Sequence, residues 1–136
     1  MKTLVVDDEF VALNKMTGIL STFGECDAAT NGEQALEMYL KALDCGHPYD
    51  LATIDIEMPG MDGLALLARI CEEEKRRQAH HTKRIMVSAA SSVDNVKQAA
   101  HNRCDAFLVK PVKRQALLQK LVDLKLLESS QLVVAE

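Results

Sequence analysis

The chain has 136 residues, 48% hydrophobic and 26% charged, which is the makeup of one globular domain and excludes general disorder or two full domains. Twenty acidic against sixteen basic residues leave a net charge of −4. A domain that grips nucleic acid through its phosphates carries a basic excess, so DNA and RNA are not expected as direct ligands.

Short apolar runs alternate with amphipathic helical segments from end to end, the pattern of a parallel sheet with helices on both faces. Leu4, Val5 and Val6 read as a buried first strand. Asp7, Asp8 and Glu9 then open a first helix, their charge suited to the positive end of its dipole, with Phe10, Leu13, Thr17 and Leu20 as the inner stripe. After Gly24 a weak second strand spans residues 25 to 29. Asn31 and Gly32 turn into a second helix whose inner stripe is Ala35, Leu36, Tyr39, Leu40 and Leu43, and Gly46 and Pro48 end it. The third strand covers residues 50 to 55, and the breakers in EMPGMDG make residues 57 to 63 a loop. A third helix starting near Asp62 buries Leu64, Leu67 and Ile70 and runs into EEEKRRQAHHTKR, read as a solvated helix end and connection. Ile85, Met86 and Val87 form the fourth strand. Ser91 and Ser92 offer an N-cap, with Asp94 near the capping-box position, to a fourth helix carrying Val93, Val96 and Ala100. Phe107, Leu108 and Val109 make the fifth strand. After Pro111 a last helix runs to about Leu127, with Leu117, Leu121 and Leu124 on one face and Leu118, Val122 and Lys125 beside them.

This is a (βα)5 α/β unit, and open sheets of that kind gather ligands at the C-terminal ends of their strands. Asp7 and Asp8 end strand one, Asp55 ends strand three, Ser88 strand four and Lys110 strand five, so four strands deliver polar groups to one rim. Three carboxylates close together repel unless a cation neutralises them, and an all-oxygen cluster at a loop-rich edge suits a hard ion such as Mg2+. Lys110 and Ser88 add a charge and a hydrogen-bond donor for phosphate oxygens, so the rim reads as a site for phosphoryl transfer to a carboxylate. Singly, Asp7 and Asp8 could be a helix cap, Lys110 a solvated lysine and Ser88 a satisfied hydroxyl. A carboxylate closing the apolar run LATI is harder to explain structurally, because burial penalises its charge.

The order and placement of VVDDE, ATNGEQAL, DLATIDIEMPGMDG, MVSAA and FLVKP resemble the receiver domain of two-component response regulators, the CheY-like family, over roughly residues 2 to 127. The resemblance implies a flavodoxin-like three-layer sandwich with strand order 2-1-3-4-5. It implies that Asp55 is the phosphoacceptor, that Mg2+ is held by Asp8, Asp55 and the backbone carbonyl of Glu57 with Asp7 acting through water, and that Lys110 contacts the phosphoryl group beside a cis Lys110-Pro111 peptide. Ser88 and Phe107 are the switch pair it implies, although an aromatic in a fifth strand is often simply core. A histidine kinase or histidine phosphotransfer protein would be the donor. A changed surface of the fourth predicted helix, fifth strand and fifth predicted helix would engage a target protein, an effector domain or a second copy in a phosphorylation-dependent homodimer. The protein would assist its own phosphorylation and dephosphorylation without acting on a separate substrate, with residues 1–127 as the receiver and 128–136 as a tail or the start of a linker.

Two positions depart from the family pattern. Arg103 and Cys104 stand where a glycine usually precedes the Ala-Asp stretch, leaving Asn102 to end the fourth helix, and Glu57 with Ala90 flanks the path of an attacking water.

Other function classes fit less well. A haloacid-dehalogenase type hydrolase needs a cap-sized insertion, and an FMN binder needs a hydroxyl- and glycine-rich loop where this chain has DDEF. A phosphate-independent pseudo-receiver would lack the acceptor or its partners. Cys26, Cys45, Cys71 and Cys104 form no CxxC pair and read as reduced, mostly buried thiols. His80 and His81 read as solvated surface, and Met58 and Met61 as packing residues beside the site. No run approaches the roughly 20 apolar residues that span a bilayer, and two aspartates come too early for a signal-peptide core, so a cytoplasmic location and no membrane insertion are expected.

Overall fold

The near-continuous burial that a parallel sheet covered on both faces demands runs through the central strands of the computed structural model, which describes residues 1–89, 92 and 103–135. Five strands, β1 (Thr3–Val6), β2 (Cys26–Ala29), β3 (Leu51–Asp55), β4 (Lys83–Ala89) and β5 (Ala106–Lys110), lie parallel in the order β2-β1-β3-β4-β5. That is the expected flavodoxin-like order. Leu4, Val6, Ala52, Ile54 and Met86 face one side and pack under α2 (Gly32–Asp44) and α3 (Gly63–Arg77). Val5, Leu51, Ile85, Val87 and Leu108 face the other and pack under α1 (Phe10–Leu20) and α4 (Arg114–Asp123), the expected last helix. The expected helix over residues 93 to 100, with its Ser91 cap, the Asn102 ending and Ala90, lies outside the described residues.

Register brings the strand ends to one rim. Val6 pairs with Ile54, Asp55 with Val87, and Ser88 with Val109, so Asp7, Asp55, Ser88 and Lys110 emerge at similar heights.

Three helix faces differ from the sequence reading. The buried arc of α1 is Leu13, Met16, Ile19 and Leu20, and at about 100° per residue this leaves Phe10 on its flank, 72% exposed, with Val11 equally bare. In α2 Ala42 is buried while Leu40 and Leu43 are only half-buried, and in α3 Leu66 takes the inner place expected of Leu64. The charged stretch after Ile70 is mostly the solvated helix end and connection expected, with Glu72, Lys75, Arg76, Gln78, His80 and His81 exposed, but Glu74, Thr82 and Arg84 within it are buried.

The expected helix to Leu127 also stops early, at Asp123, and a short helix α5 (Ser129–Ala135) follows. The stop is a Schellman turn in which Leu126 N–H donates to the Leu121 carbonyl at 2.8 Å, with Lys125 left-handed at φ 62°. Leu127 is buried below it and Leu132 packs on the same core. Gln78, at φ 50°, closes α3 in the same way, with Ala79 N–H on the Glu74 carbonyl at 3.0 Å. The four cysteines are free, but Cys45 is exposed and the others are half-buried, less hidden than expected. Among the described residues no helix is long and apolar enough to cross a membrane.

Candidate functional site

The rim is built by short connections that leave each strand at its polar residue. Asp7 N–H still donates to Ala29 O at 3.1 Å, as in the sheet, and the Asp7 Oδ1 then accepts from Glu9 N–H at 2.9 Å, turning the chain into α1. After β3 the chain loops out and returns at Gly63, whose N–H donates to the Ile56 carbonyl at 2.9 Å. A Cβ at Gly63 would collide with the Asp55 carbonyl, so glycine lets α3 begin against the acidic strand end. Asp62 caps that helix by accepting from Ala65 N–H at 2.8 Å.

One oxygen from each of Asp7, Asp8 and Asp55 falls in a cluster whose members all lie within 4.8 Å of one another. Asp55 is 2% exposed, Asp7 is also buried, and Asp8 is open to solvent. From β5, Lys110 reaches into the cluster with Nζ 3.1 Å from Asp55 Oδ2 and 3.4 Å from Asp7 Oδ2, and its bond to Pro111 is cis. Among the described residues one cation faces three carboxylates, which leaves the site under-neutralised. Burial, then the Asp7 charge, push the Asp55 carboxyl up to about 7, against the opposing pull of Lys110. Burial works against the Lys110 charge, but Asp55 and Asp7 outweigh it and hold the ammonium above its ordinary range. An all-oxygen set with excess negative charge, partly open through Asp8, has the chemistry of a Mg2+ site that keeps several waters. Beside it a cavity of about 390 Å³ opens between α1 and the Pro111 turn, with Val11, Met16, Asp55 and Lys110 among its walls.

Ser88 is fully buried at the end of β4, and its hydroxyl donates to Glu57 Oε1 at 2.8 Å. Ala89 N–H donates to the same oxygen at 3.3 Å, and Glu57 N–H donates to Asp55 Oδ1 at 3.2 Å. Burial disfavours the Glu57 charge, yet these hydrogen bonds outweigh it and hold its carboxyl below the usual range. The sequence pointed to the backbone carbonyl of Glu57 and to its place beside the path of an attacking water; its side-chain contact with Ser88 depends on how the loop folds back, which no local pattern announces. Phe107 is half-buried and packs on the α2/α3 side with Met86. Met58 is buried and Met61 half-buried in that same cluster, as expected of packing residues. His80 and His81 are exposed, as expected of solvated surface, and His81 also reaches its neighbours, with Nε2 3.2 Å from Asp105 Oδ2 and Nδ1 3.6 Å from Glu74 Oε1.

Residues 3–122 match the family described as response regulator receiver domain. The chain belongs to that family. It is a receiver domain of two-component signalling, a family of signalling modules. The receiver is 34% identical to the chemotaxis protein CheY of Treponema pallidum over 122 residues, 88% of this chain and 79% of that one. It is 32% identical to hybrid signal transduction histidine kinase L of Dictyostelium discoideum, covering 83% of this chain but 7% of that far longer protein. Among solved structures, the CheX-CheY-BeF3-Mg2+ complex from Borrelia burgdorferi superposes with a TM-score of 0.78 at 31% identity, over 92% of this chain and 89% of that one.

Proposed function

We propose that this receiver accepts a phosphoryl group on Asp55 in a Mg2+-dependent reaction and signals through the surface that responds to it. The carrying observation is the under-neutralised rim: a carboxylate 2% exposed, among two other carboxylates and one lysine, that is costly to ionise without further positive charge. Asp8, Asp55 and the Glu57 carbonyl would hold Mg2+ directly and Asp7 through water. When bound, Mg2+ supplies the charge that lets three carboxylates and a phosphoryl group share one site.

In the transfer, an Asp55 carboxylate oxygen forms the new bond to phosphorus as the bond to the donor breaks, and the leaving group departs with the electron pair. Lys110 stabilises charge on a phosphoryl oxygen. Ser88 and Phe107 form the switch, and residues 1–127 act as the receiver, with 128–136 trailing from it. A histidine kinase or phosphotransfer protein is the donor, and the exposed Val11 in the cavity wall, with the equally exposed Phe10 next to it in the chain, offers apolar surface for its docking. The output goes to a target protein, an effector domain or a second copy, in the cytoplasm.

The test is intact mass after incubation with acetyl phosphate, with and without Mg2+, beside Asp55→Asn. A gain of one phosphate that needs both Mg2+ and Asp55 is the expected result. No gain in any condition sinks the proposal and favours a phosphate-independent binding module.

A further inference from the structure

Ser88 carries one hydroxyl proton, and that proton is already committed. The hydroxyl donates to Glu57 Oε1 at 2.8 Å, with the Ala89 carbonyl only a longer alternative at 3.4 Å, and Glu57 Oε1 also accepts from Ala89 N–H at 3.3 Å. A hydroxyl and a backbone N–H converging on one anionic oxygen is also how a site would hold a phosphoryl oxygen. The two donors sit beside the acceptor: β4 pairs Val87 with Asp55, so Ser88 and Ala89 are the next residues up the neighbouring strand. Glu57 is tied to the acceptor as well, through its N–H on Asp55 Oδ1 at 3.2 Å.

We propose that the Glu57 side chain is a latch on the switch: its carboxylate occupies the Ser88 hydroxyl and the Ala89 N–H until a phosphoryl group on Asp55 displaces it, and so sets the threshold of the response. This rests on Asp55 being the phosphoacceptor. Two physical effects act in the same direction. The Ser88 proton can serve Glu57 or the phosphoryl group but not both, so the hydrogen bond that Ser88 forms to the phosphoryl group requires breaking the one it makes to Glu57. A phosphoryl group also brings close to two negative charges next to a carboxylate, which repels it.

The test uses the whole chain in Mg2+, with beryllofluoride as the phosphoryl probe followed by 19F NMR, and compares the wild type with Glu57→Gln and Glu57→Ala. Both variants change an exposed side chain. Glu57→Gln keeps length and an acceptor oxygen but loses the charge, and is expected to bind the probe about threefold to tenfold more tightly, with Glu57→Ala gaining at least as much. Without any probe, the Ala89 amide resonance should shift in both variants, reporting the altered hydrogen bond. In a Ser88→Ala background the gain from Glu57→Gln should largely vanish, because a latch needs both partners.

Unchanged probe affinity in both variants overturns the latch. A gain of the same size in the Ser88→Ala background assigns the effect to charge alone and also overturns it. Weaker Mg2+ binding by Glu57→Gln, measured by calorimetry, would make the side chain a metal ligand instead. Failure of the wild type to bind beryllofluoride or to gain phosphate would defeat the phosphoacceptor reading, and the latch with it, whereas a wild type that does both isolates the latch as the failing part.

Discussion

Glu74 from α3 and Asp55 from β3 are both buried carboxylates, set at opposite ends of the sheet, and their surroundings differ in charge balance. At the N-terminal edge Glu74 has a full set of partners: Arg84 Nη1 at 2.7 Å, Tyr39 Oη at 2.8 Å and Thr82 N–H at 3.0 Å. Arg84 completes its own set on the Thr82 and Arg103 carbonyls and on Cys71 Sγ. Burial works against the Arg84 charge, yet Glu74 holds the guanidinium above its ordinary range; burial and the bond to Glu74 likewise push the Tyr39 hydroxyl up. At the C-terminal rim Asp55 meets two more carboxylates and shares its lysine with Asp7. A charge balanced inside the protein belongs to the fold, whereas one left unbalanced waits for something from outside.

The comparison breaks most visibly if the balanced end is unbalanced. Arg84→Met keeps much of the stem but strands Glu74 as a lone buried charge, with an expected loss of about 3 to 5 kcal/mol in urea denaturation. Replacing both partners, as Glu74→Leu with Arg84→Met, should recover most of that loss, because no buried charge remains. If the single and double variants prove equally unstable, packing of the arginine stem and not charge balance holds that edge.

At the rim the sign reverses, because removing charge there should stabilise. In the metal-free protein the Asp55 carboxyl is raised from an ordinary value near 4 to about 7, so the folded state binds its proton more tightly than the unfolded chain. The associated stability is fully present below the unfolded value and lost as pH rises through about 7. Asp55→Asn removes that titration. At pH 8 without Mg2+ the variant should exceed the wild type by about 2 to 4 kcal/mol, and the difference should shrink toward pH 4. A constant difference across that range would mean that Asp55 does not titrate as its surroundings require.

The two ends were unequally legible in the sequence. The rim could be read because parallel strands bring their C-terminal residues together, so Asp7, Asp8, Asp55 and Lys110 declare themselves once the strands are placed. The N-terminal cluster was hidden in a run of charges that resembles surface. Its signal was periodicity: Glu74 continues the Leu67, Ile70 stripe of α3, and Arg84 alternates with the buried Met86 in β4. Helix ends followed the same divide. Gly46, at φ 76°, marks the end of α2 openly, whereas Gln78 and Lys125 take left-handed backbone without glycine and give a sequence reader no cue. The Glu57 contact with Ser88 joins residues 31 apart through a loop, and only folding brings them together.

The smallest expected effect separates the ends by metal. Mg2+ should stabilise the wild type by about 1.4 kcal/mol when present at ten times its dissociation constant, since it binds the folded rim and not the unfolded chain. Lowering the pH below 7 should erode this gain, because a proton on Asp55 competes with the cation for the same oxygen. Asp8→Asn should reduce it while leaving urea stability without Mg2+ equal to or above that of the wild type. Glu74→Leu with Arg84→Met should keep the gain in full, because the cluster it removes lies at the far end of the sheet and is already neutral. Loss of the Mg2+ gain in that double variant would show that the two ends are coupled through the sheet, and the division between a structural charge cluster and a functional one would fail.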